Sequence, residues 1–327
     1  MINSISKISK PIRILSLFER FNKGEVVDKK KEAKRYNVSS KTIQRDIKEI
    51  RIYFSTIYHE VNTKIIYSEK ENGYILKRDQ YDWINSQEIL GLSKILLESR
   101  AFSEKEMNVL IEKLIKQTVP DQRKHIKKII NNEYYHYYPP KHEELLLDKI
   151  WDLSQAVRKN KIVQFKYSKV NSSNFVNRKV TPLGLMFSEY YFYLIAQRIE
   201  DKYDYKIPYR LDRIKNYKVL EENFKVPYKE RFKEGEFRKR VQFMTPGKLM
   251  KIKFKFWGRS IQAVLDRLPT AKIIKKQEKE VYIVEAEVYG QGIKMWLLSQ
   301  GQYLEVLEPK EFRKEMKETV KKMYNNY

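Results

Sequence analysis

Between Ser40 and Lys48, the side chains of Lys41, Thr42, Gln44, Arg45 and Lys48 alternate with Ile43 and Ile47 at helical spacing. A helix that buries the isoleucines, with Ile50 and Phe54 further along, turns the polar set outward on its other side. The chemistry of such a face is recognition of a polyanion. Arginine or lysine donates to guanine O6 and N7, glutamine pairs with adenine N6 and N7, and Ser40 with the helix start can bind phosphate. An ordinary amphipathic helix whose charged face is merely solvated shows the same periodicity, so spacing alone leaves both readings open.

Catalysis has less support. The histidines are His59, His125, His136 and His142; the last two are six apart beside Glu143 and Glu144, which is not the i, i+4 spacing of a helical zinc pair. No G-x-x-x-x-G-K-[ST], G-x-G-x-x-G or G-x-S-x-G run occurs, and carboxylate pairs such as Glu221-Glu222 lie in charged surroundings. Zero cysteines exclude disulfides, thiolate nucleophiles and Cys-based metal sites. The expectation is a protein that is not an enzyme and carries no metal or cofactor.

Presenting Lys41 to Lys48 requires a helix pair around a short turn. Asp28 can cap a helix containing Ala33 and Tyr36, Asn37-Val38-Ser39 makes the turn, and Ser40 can cap the next helix. Before them, Ser9 and Pro11 open a helix with Ile8, Ile12, Leu15 and Phe18 as its core-facing stripe, broadened by Ile14, Leu17 and Phe21, and ended by Gly24. After them, Lys64 to Ser68 and Tyr74 to Lys77 read as two strands turning at Gly73.

Four regions follow along the 327 residues. Residues 1–80 hold the helices and hairpin, and residues 81–160 form a helical connector. Its helices are expected at Ser86 to Ser99, Ser103 to Gln117, Pro120 to Asn131 and Glu143 to Lys159, interrupted by the aromatic run Tyr134 to Tyr138 and by Pro139-Pro140. Residues 161–240 switch to five short strands, at Ile162 to Tyr167, Lys179 to Phe187, Tyr190 to Gln197, Tyr205 to Leu211 and Lys215 to Leu220, expected to form a small barrel-like sheet. A basic link, Phe237 to Arg240 and Pro246-Gly247, leads to residues 241–327. There the order βαββαβ predicts a ferredoxin-like layer, in which Ile252, Phe254 and Phe256 face the core and Lys251, Lys253 and Lys255 face water.

Lys and Arg number 67 against 42 Asp and Glu, a formal net charge of +25, with 42% hydrophobic residues. A folded chain with that excess attracts nucleic acid or an anionic surface. No apolar run approaches the ~20 residues of a membrane span, and the N-terminus lacks a signal-peptide core, so a cytoplasmic protein with no membrane partner is expected.

The run V-S-S-K-T-I-Q-R-D-I-K-E-I, followed by a hairpin ending in G-Y-I-L, resembles the winged helix-turn-helix of DeoR-type bacterial regulators. The resemblance implies a recognition helix at Lys41 to Lys48 and a wing at Lys64 to Lys77, where Lys64 and Lys70 would touch phosphate or the minor groove.

A second resemblance rests on Tyr167, R-K-V-T-P-L-G-L from Arg178, Y-Y-F-Y-L-I-A and Y-R-L-D-R-I, which is similar to a WYL domain of bacterial transcriptional regulators. Its naming triplet falls on Phe192-Tyr193-Leu194, with Phe in the usual Trp position. The resemblance implies an Sm-like β-barrel that senses a nucleotide or single-stranded nucleic acid, with Tyr167, Arg178, Tyr193, Arg210 and Arg213 on an anion-binding surface. Strand alternation puts Tyr191 beside Tyr193 on the face opposite Phe192, and arginine forks with tyrosine rings suit phosphates and bases. Arg210 and Arg213 are an odd number apart, so in a regular strand they face opposite ways, leaving one to pair with Asp212 or Glu200.

The last unit, with F-K-F-W-G and G-I-K-M-W-L-L-S-Q-G, resembles the C-terminal extension that follows WYL domains, with Trp296 and Leu297 expected in its core. Together these imply an α+β multidomain regulator, a homodimer on a palindromic double-stranded DNA operator, whose affinity responds to the effector. The alternatives are a nucleic-acid-processing enzyme and a ligand-independent nucleic-acid-binding protein.

Overall fold

The structure, a computed structural model, describes residues 8–57, 64–77, 84–118, 120–169, 174–199, 206–225, 231–245, 247–278 and 280–327. His59, Glu200, Tyr205, Pro246 and the expected boundary at residue 80 lie outside them. The chain divides into two units, Met1–Pro139 and Pro140–Tyr327.

In the first unit, α1 (Lys10–Asn22), α2 (Lys29–Arg35) and α3 (Ser40–Ile57) precede an antiparallel hairpin of β1 (Lys64–Ser68) and β2 (Gly73–Lys77). Leu17, Phe21, Val27, Ala33, Ile43, Ile47, Ile50, Phe54 and Ile65 share one core. The face of α1 differs from expectation in part: Leu17 and Phe21 are buried and Ile8, Ile14 and Phe18 pack against the core, but Ile12 and Leu15 are 59% and 64% exposed and Arg13 is buried in their stead. Arg13, on the buried side, pairs with Asp46 on α3. Ser9 occupies the N-cap position of α1 without a side-chain capping bond. Asp28 does cap α2, accepting from the Lys30 and Lys31 amides at 2.7 and 3.1 Å.

Val27, between α1 and α2, exchanges backbone hydrogen bonds of 2.8 and 2.9 Å with Tyr74 and so adds a strand-like edge to the hairpin. The approach is close enough that a Cβ on Gly73 would lie 2.5 Å from Val26 Cγ1.

α4 (Ser86–Ser99), α5 (Glu104–Lys116) and α6 (Pro120–Tyr135) complete this unit. An Asn85–Glu88 capping box opens α4, and Ser103 caps α5. α6 continues past Asn131 into the aromatic run; the run breaks the helix only after Tyr135, where the Tyr137 hydroxyl donates to the Phe102 carbonyl at 2.6 Å.

The second unit opens with α7 (Leu147–Arg158), four residues later than the expected start at Glu143. Five antiparallel strands follow, β3 (Lys161–Ser168), β4 (Phe175–Ser188), β5 (Tyr191–Arg198), β6 (Ile207–Arg210) and β7 (Ile214–Asn223), in the order β6-β5-β4-β3-β7. The sheet is curled but is not a closed barrel: among the described residues β6 and β7 form no ladder with each other. Laid flat, its edges would stand ~19 Å apart, four spacings of ~4.8 Å. The link between the two edge strands is one 3₁₀ turn, Leu211–Arg213. Four Cα steps reach at most ~14 Å, so the sheet must bend. β6 is four residues long.

The basic link is a short helix, α8 (Glu234–Arg240), with Phe237 buried. Then come β8 (Leu249–Phe256), α9 (Ile261–Arg267), β9 (Lys272–Gln277), β10 (Val281–Tyr289), α10 (Gly292–Ser299), β11 (Leu304–Glu308) and α11 (Lys310–Tyr324). The antiparallel order β11-β8-β10-β9 is the split βαβ layer that the sequence order predicts. Ile252, Phe254, Phe256, Trp296 and Leu297 lie in its core. No helix among the described residues is long and apolar enough to cross a membrane.

Candidate nucleic-acid and effector surfaces

α3 is positioned from three directions. Arg13 on α1 grips Asp46 with Nε–Oδ2 at 2.5 Å and Nη2–Oδ1 at 3.2 Å, and both side chains are buried. Asp46 holds the Arg13 guanidinium above its ordinary pKa, chiefly through this hydrogen bond. Lys10 reaches Glu49 at 2.5 Å, and the Arg51 Nε donates to the Ile65 carbonyl at 2.9 Å, tying the helix to β1. Ser39, not Ser40, caps α3: its Oγ accepts from the Thr42 amide at 3.1 Å, while Ser40 is the first helical residue. The turn places Asn37 at φ 50, so the chain reverses one residue earlier than a cap at Ser40 requires.

Lys41, Gln44, Arg45 and Lys48 are all exposed. With Arg51, Ile52, Ser55, Lys64, Ile65 and Ile66 they line an open groove of about 790 Å³ between α3 and the hairpin. Lys41, Arg45, Lys48, Arg51 and Lys64 supply five cations to that lining, and no carboxylate belongs to it. Thr42 is half-buried, its hydroxyl 2.9 Å from that of Ser39. Lys70 is exposed at the hairpin turn and is not part of the groove. Arg51, which sequence reasoning missed, was detectable as the next residue of the stripe, three beyond Lys48. Lys29, 3.5 Å from the Gln44 Oε1, had no such signal.

The second surface forms where the five-stranded sheet bends. The Tyr167 hydroxyl accepts from the Arg210 amide at 3.3 Å and is also bonded by the Arg213 side chain. The Arg210 guanidinium lies 3.3 Å from the centroid of the Tyr191 ring and forks onto Asp212, with Nε–Oδ1 at 3.1 Å and Nη2–Oδ2 at 2.8 Å. Tyr193 pairs with Arg210 across β5 and β6, and its ring is 6.5 Å from that of Tyr191. Burial pushes the Tyr193 hydroxyl up to about 12 against the pull of Arg210. Burial also raises Tyr167.

The alternation expected between Arg210 and Arg213 assumes a regular strand, which the chain interrupts here. The intervening residues belong to a 3₁₀ turn, and the Tyr167 hydroxyl is met by the backbone amide of Arg210 and the side chain of Arg213. Of the predicted partners, Asp212 takes Arg210. Arg178 on β4 pairs with Phe165, two residues from Tyr167 on β3, and its Nη1 donates to the Asn177 carbonyl at 3.0 Å. Contacts thus link Tyr167, Tyr191, Tyr193, Arg210 and Arg213, while Arg178 lies on the neighbouring strand, on the face that carries Phe165 and Tyr167.

A buried lysine that sequence reasoning missed fixes the turn. Lys149 Nζ on α7 donates to the Leu211 and Ile214 carbonyls at 3.0 and 2.9 Å and to Glu144 at 3.3 Å, and Glu144 also pairs with Lys215. Burial lowers the Lys149 pKa, opposed by Glu144. Among the described residues no three His, Asp or Glu lie close enough to hold a metal ion.

Residues 148–219 match the WYL domain, and residues 248–324 match the WCX domain. The arginine and tyrosine cluster therefore lies within the WYL match, and the groove lies outside both. Among solved structures, the proteasome accessory factor B/C (PafBC) of Arthrobacter aurescens is similar at 14% identity and a TM-score of 0.29, over 93% of this chain and 45% of that one. The chain thus spans less than half of that protein's length. A CRISPR Cas-related protein is similar at 14% identity and a TM-score of 0.39, over 99% of this chain and 88% of the other. No curated protein matches.

Proposed function

We propose that this chain is a transcriptional regulator that binds double-stranded DNA through a winged helix-turn-helix and answers to an effector at its WYL domain. α3 is the recognition helix, β1 and β2 are the wing, and the protein acts as a cytoplasmic homodimer on a roughly palindromic operator, by binding rather than catalysis. The observation that carries this reading is the set of five cations, with no carboxylate, in the lining of the groove beside α3, with Gln44 and Arg45 exposed for base edges. Ser40, Thr42 and Lys70 complete the DNA surface at its margins. Tyr167, Tyr191, Tyr193, Arg210 and Arg213, with Arg178 at the edge, take a nucleotide or single-stranded nucleic acid, which shifts affinity by favouring one dimer geometry.

The test begins by selecting bound sequences from random DNA and continues with gel-shift titrations across salt concentrations. Arg45→Ala is expected to cost about 1–3 kcal/mol on the selected site. Lys48→Ala should weaken binding to all sequences and flatten the salt slope by about 0.9. Unchanged titrations for both variants refute the assignment of α3.

A further inference from the structure

The fork from Arg210 to Asp212 has the geometry that an arginine offers to a phosphate. Two parallel N–H groups meet two oxygens of one anion, at 3.1 and 2.8 Å. The anion here is part of the chain: the Asp212 side chain is only 8% exposed, and that of Arg210 is 20% exposed. One face of the guanidinium is also covered by Tyr191, at 3.3 Å from the ring centroid. Arg210 therefore has its bidentate edge filled and one face stacked before any ligand arrives.

We propose that Asp212 is an internal competitor for the effector, and that a phosphate-bearing ligand occupies Arg210 only by displacing this carboxylate. The inference rests on the effector-site reading above and adds the step by which the site opens. Asp212 sits in the 3₁₀ turn whose flanking carbonyls are held by Lys149, so the backbone stays fixed while the carboxylate swings. Lys149 already interacts with Asp212 electrostatically, and its positive charge remains nearby when the carboxylate leaves Arg210. A carboxylate carries one charge, whereas a phosphate monoester carries about −1.5 to −2 at neutral pH, which favours the exchange for a terminal phosphate.

The test uses the full chain and a 5′-phosphorylated thymidine hexanucleotide followed by fluorescence anisotropy. Asp212→Asn keeps the shape but removes the competitor, and is expected to bind the strand about tenfold more tightly than wild type, a gain of about 1.4 kcal/mol. Glu144→Gln removes an equal charge that touches Lys149 and Lys215 but not Arg210, and should stay within about twofold of wild type. Equal tightening by both variants shows a general charge effect and refutes the competition. If wild type and a folded Asp212→Asn bind alike, the effector site stands and the competition falls; if neither binds, the effector-site reading falls and the inference with it. Should Asp212→Asn fail to fold, a wild-type crystal structure with the strand decides. Phosphate forked on Arg210 with Asp212 displaced supports the exchange, and an intact Arg210–Asp212 pair beside bound phosphate overturns it.

Discussion

Removing the Arg13 guanidinium, as in Arg13→Met, leaves the Asp46 carboxylate buried without its cation. The two side chains are 7% and 1% exposed, so water cannot take the place of the lost partner. Breaking such a pair from one side costs about 3–5 kcal/mol, whereas replacing both members with apolar side chains is often neutral. For a unit of this size each kcal/mol moves the midpoint by roughly 3–5 °C, so Arg13→Met should lower the unfolding temperature of the first unit by about 10–25 °C. Arg13→Met/Asp46→Leu should recover most of that loss. Differential scanning calorimetry of the full chain follows both variants, and the double-mutant cycle isolates the coupling between the two side chains. A single variant within about 1 kcal/mol of wild type, or a double variant as damaged as the single one, refutes the claim that this pair ties α1 to α3.

Lys149→Met removes a charged donor from the Leu211 and Ile214 carbonyls; it should destabilise the second unit by about 2–4 kcal/mol in urea unfolding, and a loss under 1 kcal/mol argues against the clamp. Arg178→Ala is expected to preserve basal DNA binding while abolishing the response to effector, and a normal response in gel shifts removes Arg178 from the effector surface. Tyr137, Tyr193 and Tyr217 are each pushed up to about 12, chiefly by burial, with Asp152 adding to the effect at Tyr217. Because folding raises these pKa values, the stability they contribute is intact below about pH 10 and is lost as pH climbs through about 12. Ultraviolet absorbance should show a second, late wave of tyrosine ionisation; a single wave near pH 10 contradicts their burial.

How much was legible beforehand depended on whether a feature is local in sequence. Ile43, Ile47 and Ile50 fix the buried side of α3, and from it the exposure of Lys41, Gln44, Arg45 and Lys48 follows by rotation alone. Asp28 was readable as a cap because the chemistry lies within three residues. Ser39 and Ser40 were not separable, since both are good caps and the backbone reversal at Asn37 decides between them. On α1 only Ile12 and Leu15 escape the expected stripe, and the burial of Arg13 was not legible because its partner Asp46 lies 33 residues away. For a related reason the turn between Arg210 and Arg213 was not legible. Alternation assumes a continuous strand, and the short crossing from one sheet edge to the other forces a 3₁₀ turn. Lys149 left no trace, because its partners are carbonyl oxygens, which any residue supplies.

The backbone bridge from Val27 to Tyr74 bears on where control can act. Together with Arg51 on Ile65 and Arg13 on Asp46, it welds the helices and the hairpin into one stiff part, like a key whose teeth cannot shift against each other. On the proposed function, no signal retunes such a key by reshaping its bite. A signal can only change how far apart two keys are held, so sensitivity to the spacing of half-sites, more than to their sequence, would be the outward sign of regulation.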